Sequence, residues 1–75
     1  MDDFNKELLL KNFGIHLKKI RDEKDISLRV LEQLSGIDYS QIHRIEKGIT
    51  APSLVTMACL ADGLKITLQE LISFK

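Results

Sequence analysis

Apolar residues recur along this chain at helical spacing, and nothing alternates with the period of two that marks a half-buried strand. Phe13, Leu17 and Ile20 fall at i, i+4 and i+7, one face of a first helix running to about Lys24, with Lys18, Lys19, Asp22 and Glu23 on its solvated side. Ser27 is placed to cap a second helix, since its hydroxyl can accept from the free amides of a first turn. That helix is expected to bury Leu31 and Leu34 and to end at Gly36, which can take a positive φ. Asp38 caps a third helix, with Gln41 three residues later approximating a capping box, and Gly48 ends it. After residues 49–52, Ser53 caps a fourth helix carrying Leu54, Met57, Ala58, Leu60 and Ala61, which Gly63 is expected to end. Thr67 and Glu70 form a Thr-x-x-Glu box for a fifth, with Leu68, Leu71 and Ile72 as its apolar residues.

The pattern predicts an all-α fold: a compact bundle of five short helices joined by turns of a few residues. Residues 1–12 form an N-terminal extension ahead of a domain over residues 13–75. Phe4, Leu8, Leu9 and Leu10 make it too apolar for a disordered tail, so an extra turn or a short additional helix is expected, either separate from the first helix or joined to it. Its apolar side is expected to cover Val30 and Leu34 or to meet a second subunit.

Within residues 35–48 the third helix hides Ile42 and Ile45 and turns Tyr39, Ser40, Gln41, His43, Arg44 and Lys47 outward. A short rigid helix with a hydrogen-bonding face meets the requirement for reading base edges in a DNA major groove. Charge tempers this reading. Eleven basic and eleven acidic residues leave a net charge of zero, so DNA binding requires the cations to cluster on one face.

Other classes are poorly served. No run approaches the roughly 18 apolar residues of a membrane span. The acidic, polar start is unlike a signal peptide. A single cysteine permits no internal disulfide and suits a reducing, cytoplasmic setting. No nucleophile neighbours a base and no glycine loop cradles phosphate, so an enzyme is not expected. His16 and His43 lack metal-ligand spacing, and neither metal, cofactor nor small-molecule ligand is indicated. His16 is read as a surface residue and Cys59 as a buried, inert thiol. The chain's last dozen residues are denser in apolar side chains than so small a core needs, and Ile66, Leu68, Ile72 and Phe74 are read as a dimer seam.

Residues 13–71 resemble the helix-turn-helix domain of phage repressors and Cro, the XRE family. The resemblance rests on Phe13 and Gly14, Leu17, Ile20 and Arg21, Ile26 and Ser27, Leu31, Gly36 and Ile37, Ser40 and Ile42. It continues through the run from Arg44 to Gly48, then Pro52, Ser53 and Leu54, Leu60 and Ala61, Leu64, Leu68 and Leu71. The Ile-x-Arg-Ile-Glu-Lys-Gly run followed by Pro-Ser-Leu is its most specific part. The resemblance implies that the helix over residues 38–47 is the recognition helix and that residues 28–35 cross the backbone. Tyr39, Ser40 and Arg44 then stand where the family touches bases, with His43 nearby and Gln41 reaching a base or a phosphate. Ser27, Lys47 and the amides around Gly48 and Thr50 face the sugar–phosphate backbone. Arg21 and Glu46 occupy positions that form an ion pair in the family, either aiming Arg21 at a phosphate or simply fixing helix packing. Two positions depart from the family: Leu28 stands where many members place a phosphate-binding Gln, and Glu32 where many place Ala. The implied function is a homodimeric transcriptional regulator, a repressor or autoregulator reading a palindromic operator in double-stranded DNA. The alternative is a protein-interaction module, such as an antitoxin or adaptor, on the same fold.

Overall fold

Each helix begins on a side chain that accepts from the free amides of its first turn, which sets the five boundaries. The structure is a computed structural model and describes residues 4–74. Its helices are α1 (Lys6–Glu23), α2 (Leu28–Ser35), α3 (Tyr39–Glu46), α4 (Leu54–Leu64) and α5 (Leu68–Ile72), with no strand among the described residues. Asn5 caps α1, its side-chain oxygen 3.0 Å from the Leu8 amide. Ser27, Asp38 and Ser53 cap α2, α3 and α4 at 3.0–3.1 Å, as their spacing predicts. Thr67 and Glu70 close a reciprocal box on α5, at 3.0 Å and 2.9 Å. Gln41 closes no such box on α3; Glu32 of α2 takes the free amide of Tyr39 instead, at 3.2 Å.

The helices enclose one core made of Phe13, Leu17, Leu31, Ile42, Ile45, Leu60, Ala61, Leu64 and Leu71. Leu17, Leu31, Ile42, Ile45, Leu60, Leu64 and Leu71 are fully buried, each worth about 1.5–3 kcal/mol relative to exposure. Leu34, expected inside, is 47% exposed. The buried stripe of α2 runs through Leu28, Leu31 and Ser35 instead, at i, i+3 and i+7, which rotates Val30 and Leu34 to solvent.

Gly63 explains that rotation. It lies inside α4 rather than ending it, and a Cβ there would stand 3.1 Å from the Ser35 Cβ and 3.2 Å from Leu31 Cδ1. The glycine lets α2 press against α4, and the helix continues one residue to Leu64. Lys65 then ends it in the left-handed region at φ 62°, a conformation costing a non-glycine residue about 1–2 kcal/mol.

At the amino end no break separates residues 4–12 from the rest of the chain, because α1 runs unbroken through Asn12 and Phe13. Residues 1–3 of the expected extension lie outside the described residues. The extension does not cover Val30 and Leu34, both exposed. It passes the end of α3, where a Cβ on Gly48 would meet the Lys11 Cα at 2.9 Å. Phe4, Leu8 and Leu9 stay exposed.

Candidate nucleic-acid interface

Three residues, 36–38, connect α2 to α3, and Gly36 at φ 77° makes the turn. Below α3, Ile42 and Ile45 insert into the core and fix which side faces out. Above it His43, Arg44 and Lys47 are exposed, with Tyr39, Ser40 and Gln41 half-buried beside them. The periodicity therefore brings Tyr39, Ser40, Gln41, His43, Arg44 and the cap residue Lys47 to the outer side of one short helix, while Glu46 turns inward.

The far end of α3 is locked by α1. Gly14 faces the Ile45 and Glu46 carbonyls so closely that a Cβ would stand 2.6 Å and 2.3 Å from the two oxygens. Two helical turns further along, Arg21 and Glu46 are each only 8% exposed. Arg21 Nε donates to Glu46 Oε2 at 2.7 Å and Nη2 donates to Oε1 at 2.9 Å, a two-pronged bond. Arg21 Nη1 donates to the Ile26 carbonyl at 2.9 Å. The hydrogen bonds to Glu46 raise the guanidinium above its ordinary range, against the opposing cost of burial. Both partners are satisfied, and among the described residues no buried side-chain nitrogen or oxygen lacks a partner. The Arg21 fork is thus engaged by Glu46 and by the turn before α2, as the packing reading of this pair expects.

At the amino end of α3 two carboxylates converge. Asp38 accepts from the Ser40 amide at 3.0 Å and pairs closely with the Ser40 hydroxyl. That hydroxyl bond, with the Ser40 and Gln41 amides, holds the Asp38 carboxyl below its ordinary range. Glu32 accepts from the Tyr39 amide, so its departure from the family pattern is a cap for the recognition helix. Leu28, the other departure, packs against the core. Arg29, between them, sets its guanidinium carbon 4.0 Å from the centroid of the Tyr39 ring. Neither Arg29 nor Glu32 was readable as a partner of Tyr39 from spacing, since the turn at Gly36 alone brings them together.

The candidate backbone contacts are spread around this helix. Ser27 and Lys47 are exposed, whereas Gly48 (φ 75°) and Thr50 are half-buried. The Ser27 hydroxyl already accepts from the Val30 amide, which leaves its own O–H available as a donor.

The residues expected as a dimer seam divide. Ile66, Leu68 and Phe74 pack against the chain's own core, while Ile72 is 49% exposed. Phe74 is held by Phe13, ring centroids 5.6 Å apart, and by His16 at 5.5 Å. His16 is half-buried rather than a surface residue, with Nε2 3.3 Å from the Glu70 carbonyl. An open apolar cleft of about 560 Å³ runs beside Ile72, lined by Leu9, Leu10, Phe13, Met57 and Phe74. Cys59 is half-buried, not enclosed. No helix among the described residues is long and apolar enough to cross a membrane.

Comparison with known proteins agrees with this geometry. Residues 17–71 match the helix-turn-helix family HTH_3. The control protein C.MunI of Mycoplasma sp. is 40% identical over 62 residues, covering 81% of this chain and 84% of its own length. The HTH-type transcriptional repressor RghR of Bacillus subtilis is 33% identical over 64 residues, 84% of this chain but 47% of the repressor, so the chain spans about half of that relative. The crystal structure of the restriction-modification controller protein C.AhdI from Aeromonas hydrophila superimposes with a TM-score of 0.78. It is 40% identical and covers 84% of this chain and 94% of its own. An HTH_3 family transcriptional regulator from Vibrio cholerae shares the fold at TM-score 0.85 and 24% identity, over 89% of this chain and 38% of that one. With the family match over most of its length and a relative 40% identical over 81% of it, the chain belongs to the XRE-type helix-turn-helix proteins.

Proposed function

We propose that this protein is a sequence-specific DNA-binding transcriptional regulator, a repressor or autoregulator that reads a palindromic operator as a homodimer. The observation that carries the reading is the construction of α3. Its outer side bears Tyr39, Ser40, Gln41, His43 and Arg44, and its inner side is fixed by Ile42, Ile45 and the buried Arg21–Glu46 pair. A helix held this firmly brings side chains to base edges without an ordering cost on binding. Arg44 is assigned to a guanine, whose O6 and N7 accept both prongs of a guanidinium. Tyr39, Ser40, Gln41 and His43 read neighbouring positions. Ser27, Lys47 and the backbone at Gly48 and Thr50 take phosphates and set the register. The relatives named as controllers and as a repressor support the regulatory role.

A homodimer sets two α3 helices in successive major grooves about 34 Å apart. Zero net charge leaves little non-specific attraction, so affinity depends on the local cations of this face. The test is Arg44→Ala on duplexes varied one base pair at a time. Discrimination at one position should fall by about 1–3 kcal/mol while the other positions keep theirs. A uniform loss across all positions would assign Arg44 to phosphate. No duplex binding at any salt by the folded protein would favour a protein partner instead.

A further inference from the structure

Tyr39 is the first residue of α3, and α2 holds it at two points. Glu32 takes its backbone amide at 3.2 Å, and Arg29 sets its guanidinium carbon 4.0 Å from the ring centroid. Arg29 is the second residue of α2 and is exposed, and none of the ion pairs among the described residues includes it. The contact therefore ties together the amino-terminal ends of both helices of the helix-turn-helix. In the docking proposed above, those ends face the duplex.

A guanidinium lying against an aromatic face uses its π surface there and keeps the N–H groups at its rim for an anion. Leu28, at the first position of α2, is turned to the core and offers no donor. Glu32 and Asp38 add negative charge next to the site, which a cation at Arg29 offsets. We propose that Arg29 is a positioning residue for DNA recognition: it fixes the Tyr39 ring for base contact while its free N–H rim takes a phosphate. The inference rests on the DNA-reading function proposed above.

The experiment selects binding sites from random duplexes with the wild-type chain and with Arg29→Ala, Arg29→Lys, Tyr39→Ala and the Arg29→Ala/Tyr39→Ala double variant. Thermal unfolding of each variant checks that the fold is intact, Arg29 being exposed and Tyr39 half-buried. Arg29→Ala should bind the wild-type site about three- to tenfold more weakly. Its salt slope should drop by about 0.9, one phosphate contact. It should also lose preference at the base pairs where Tyr39→Ala loses it, and the double variant should read those pairs no more loosely than Tyr39→Ala alone. Arg29→Lys should restore the salt slope without the base preference, because an ammonium keeps the charge but not the flat face. Retention of wild-type preference by Arg29→Ala at the Tyr39-dependent pairs overturns the proposal. So does independent, multiplying loss of base preference at those pairs in the double variant, or a Tyr39→Ala variant with unaltered preference. Those results leave the DNA-reading function standing; failure of the wild-type chain to enrich any duplex removes both.

Discussion

Gly14 sits in the middle of an 18-residue helix, where helix propensity alone makes alanine the better residue by roughly 0.5–1 kcal/mol. The packing predicts the opposite sign. A Cβ at this position would stand 2.3 Å from the Glu46 carbonyl oxygen, 2.6 Å from that of Ile45 and 2.7 Å from the Glu46 carbonyl carbon. All three are backbone atoms of the last turn of α3, so no side-chain rotation relieves the overlap. Restoring ordinary contact requires α1 and α3 to separate locally by about 1 Å, and a gap of that size forfeits a quarter to a half of each contact's attraction. Overpacking of this kind costs about 1–3 kcal/mol, and the rigidity of the obstacle places Gly14→Ala at the upper end. Setting about 3 kcal/mol against about 1 kcal/mol of gained propensity leaves a net loss of roughly 2 kcal/mol. For a domain of this size that lowers the melting temperature by roughly 8–16 °C. Thermal and urea unfolding followed by circular dichroism measure it directly. The variant should also bind DNA more weakly, because the displaced segment carries the end of the recognition helix. A melting temperature that stays put or rises would show that α3 yields at little cost and that α1 does not lock it.

Two further perturbations probe the same packing and its charges. Glu46→Ala strands the Arg21 guanidinium in a site where it is 8% exposed, at a cost of about 3–5 kcal/mol, a large share of the roughly 4–11 kcal/mol such a domain holds. Replacing both partners, as Arg21→Met with Glu46→Leu, should cost less than Glu46→Ala alone by urea denaturation; a larger cost would mean that the pair itself, not the avoidance of a stranded charge, stabilises the fold. Acid should destabilise the protein: Asp22, Asp38 and Glu70 all titrate below their ordinary values in the folded chain, through bonds from Lys18, from Ser40 and from Thr67 respectively. A depressed folded pKa adds stability that is present above the unfolded value, about pH 4, and is lost as pH falls through the lower folded value. Stability should therefore be flat above about pH 5.5 and decline below about pH 4, and Glu70→Gln should flatten part of that decline; an unchanged acid limb would show that the Thr67–Glu70 box holds no charge-dependent stability.

The elements legible in the sequence were those governed by local rules. Ser27, Asp38, Ser53 and Thr67 cap helices because a short polar side chain next to an apolar periodic run has few other uses, and Gly36 turns the chain because its neighbours cannot. The faces of α1 and α3 followed from spacing for the same reason, whereas on α4 Leu60 and Ala61 are buried but Leu54, 65% exposed, and Ala58 turn to solvent. What escaped depends on how helices meet. Leu31 and Leu34 both fit an inward stripe by periodicity, and only the approach of α2 to Gly63 decides that Ser35 is inside and Leu34 outside. Gly63 itself looks like a terminator until its neighbour across the interface is known. The same holds for His16 against Phe74, Glu32 on the Tyr39 amide and Arg29 on the Tyr39 ring, each joined across a turn or between helices. In the candidate site, the polar side of α3 was readable from residue types alone. The inward commitment of Arg21 needed the three bonds that occupy its fork.

The most direct test of the central claim is selection of binding sites from a random duplex pool by the intact wild-type chain, followed by affinity for the winner and a scrambled duplex across salt. A dimeric, sequence-reading regulator should enrich an inverted repeat with half-sites about one helical turn apart, and its affinity for the winner should fall steeply with salt. A folded protein that enriches no sequence, or that binds winner and scramble alike, would contradict that claim.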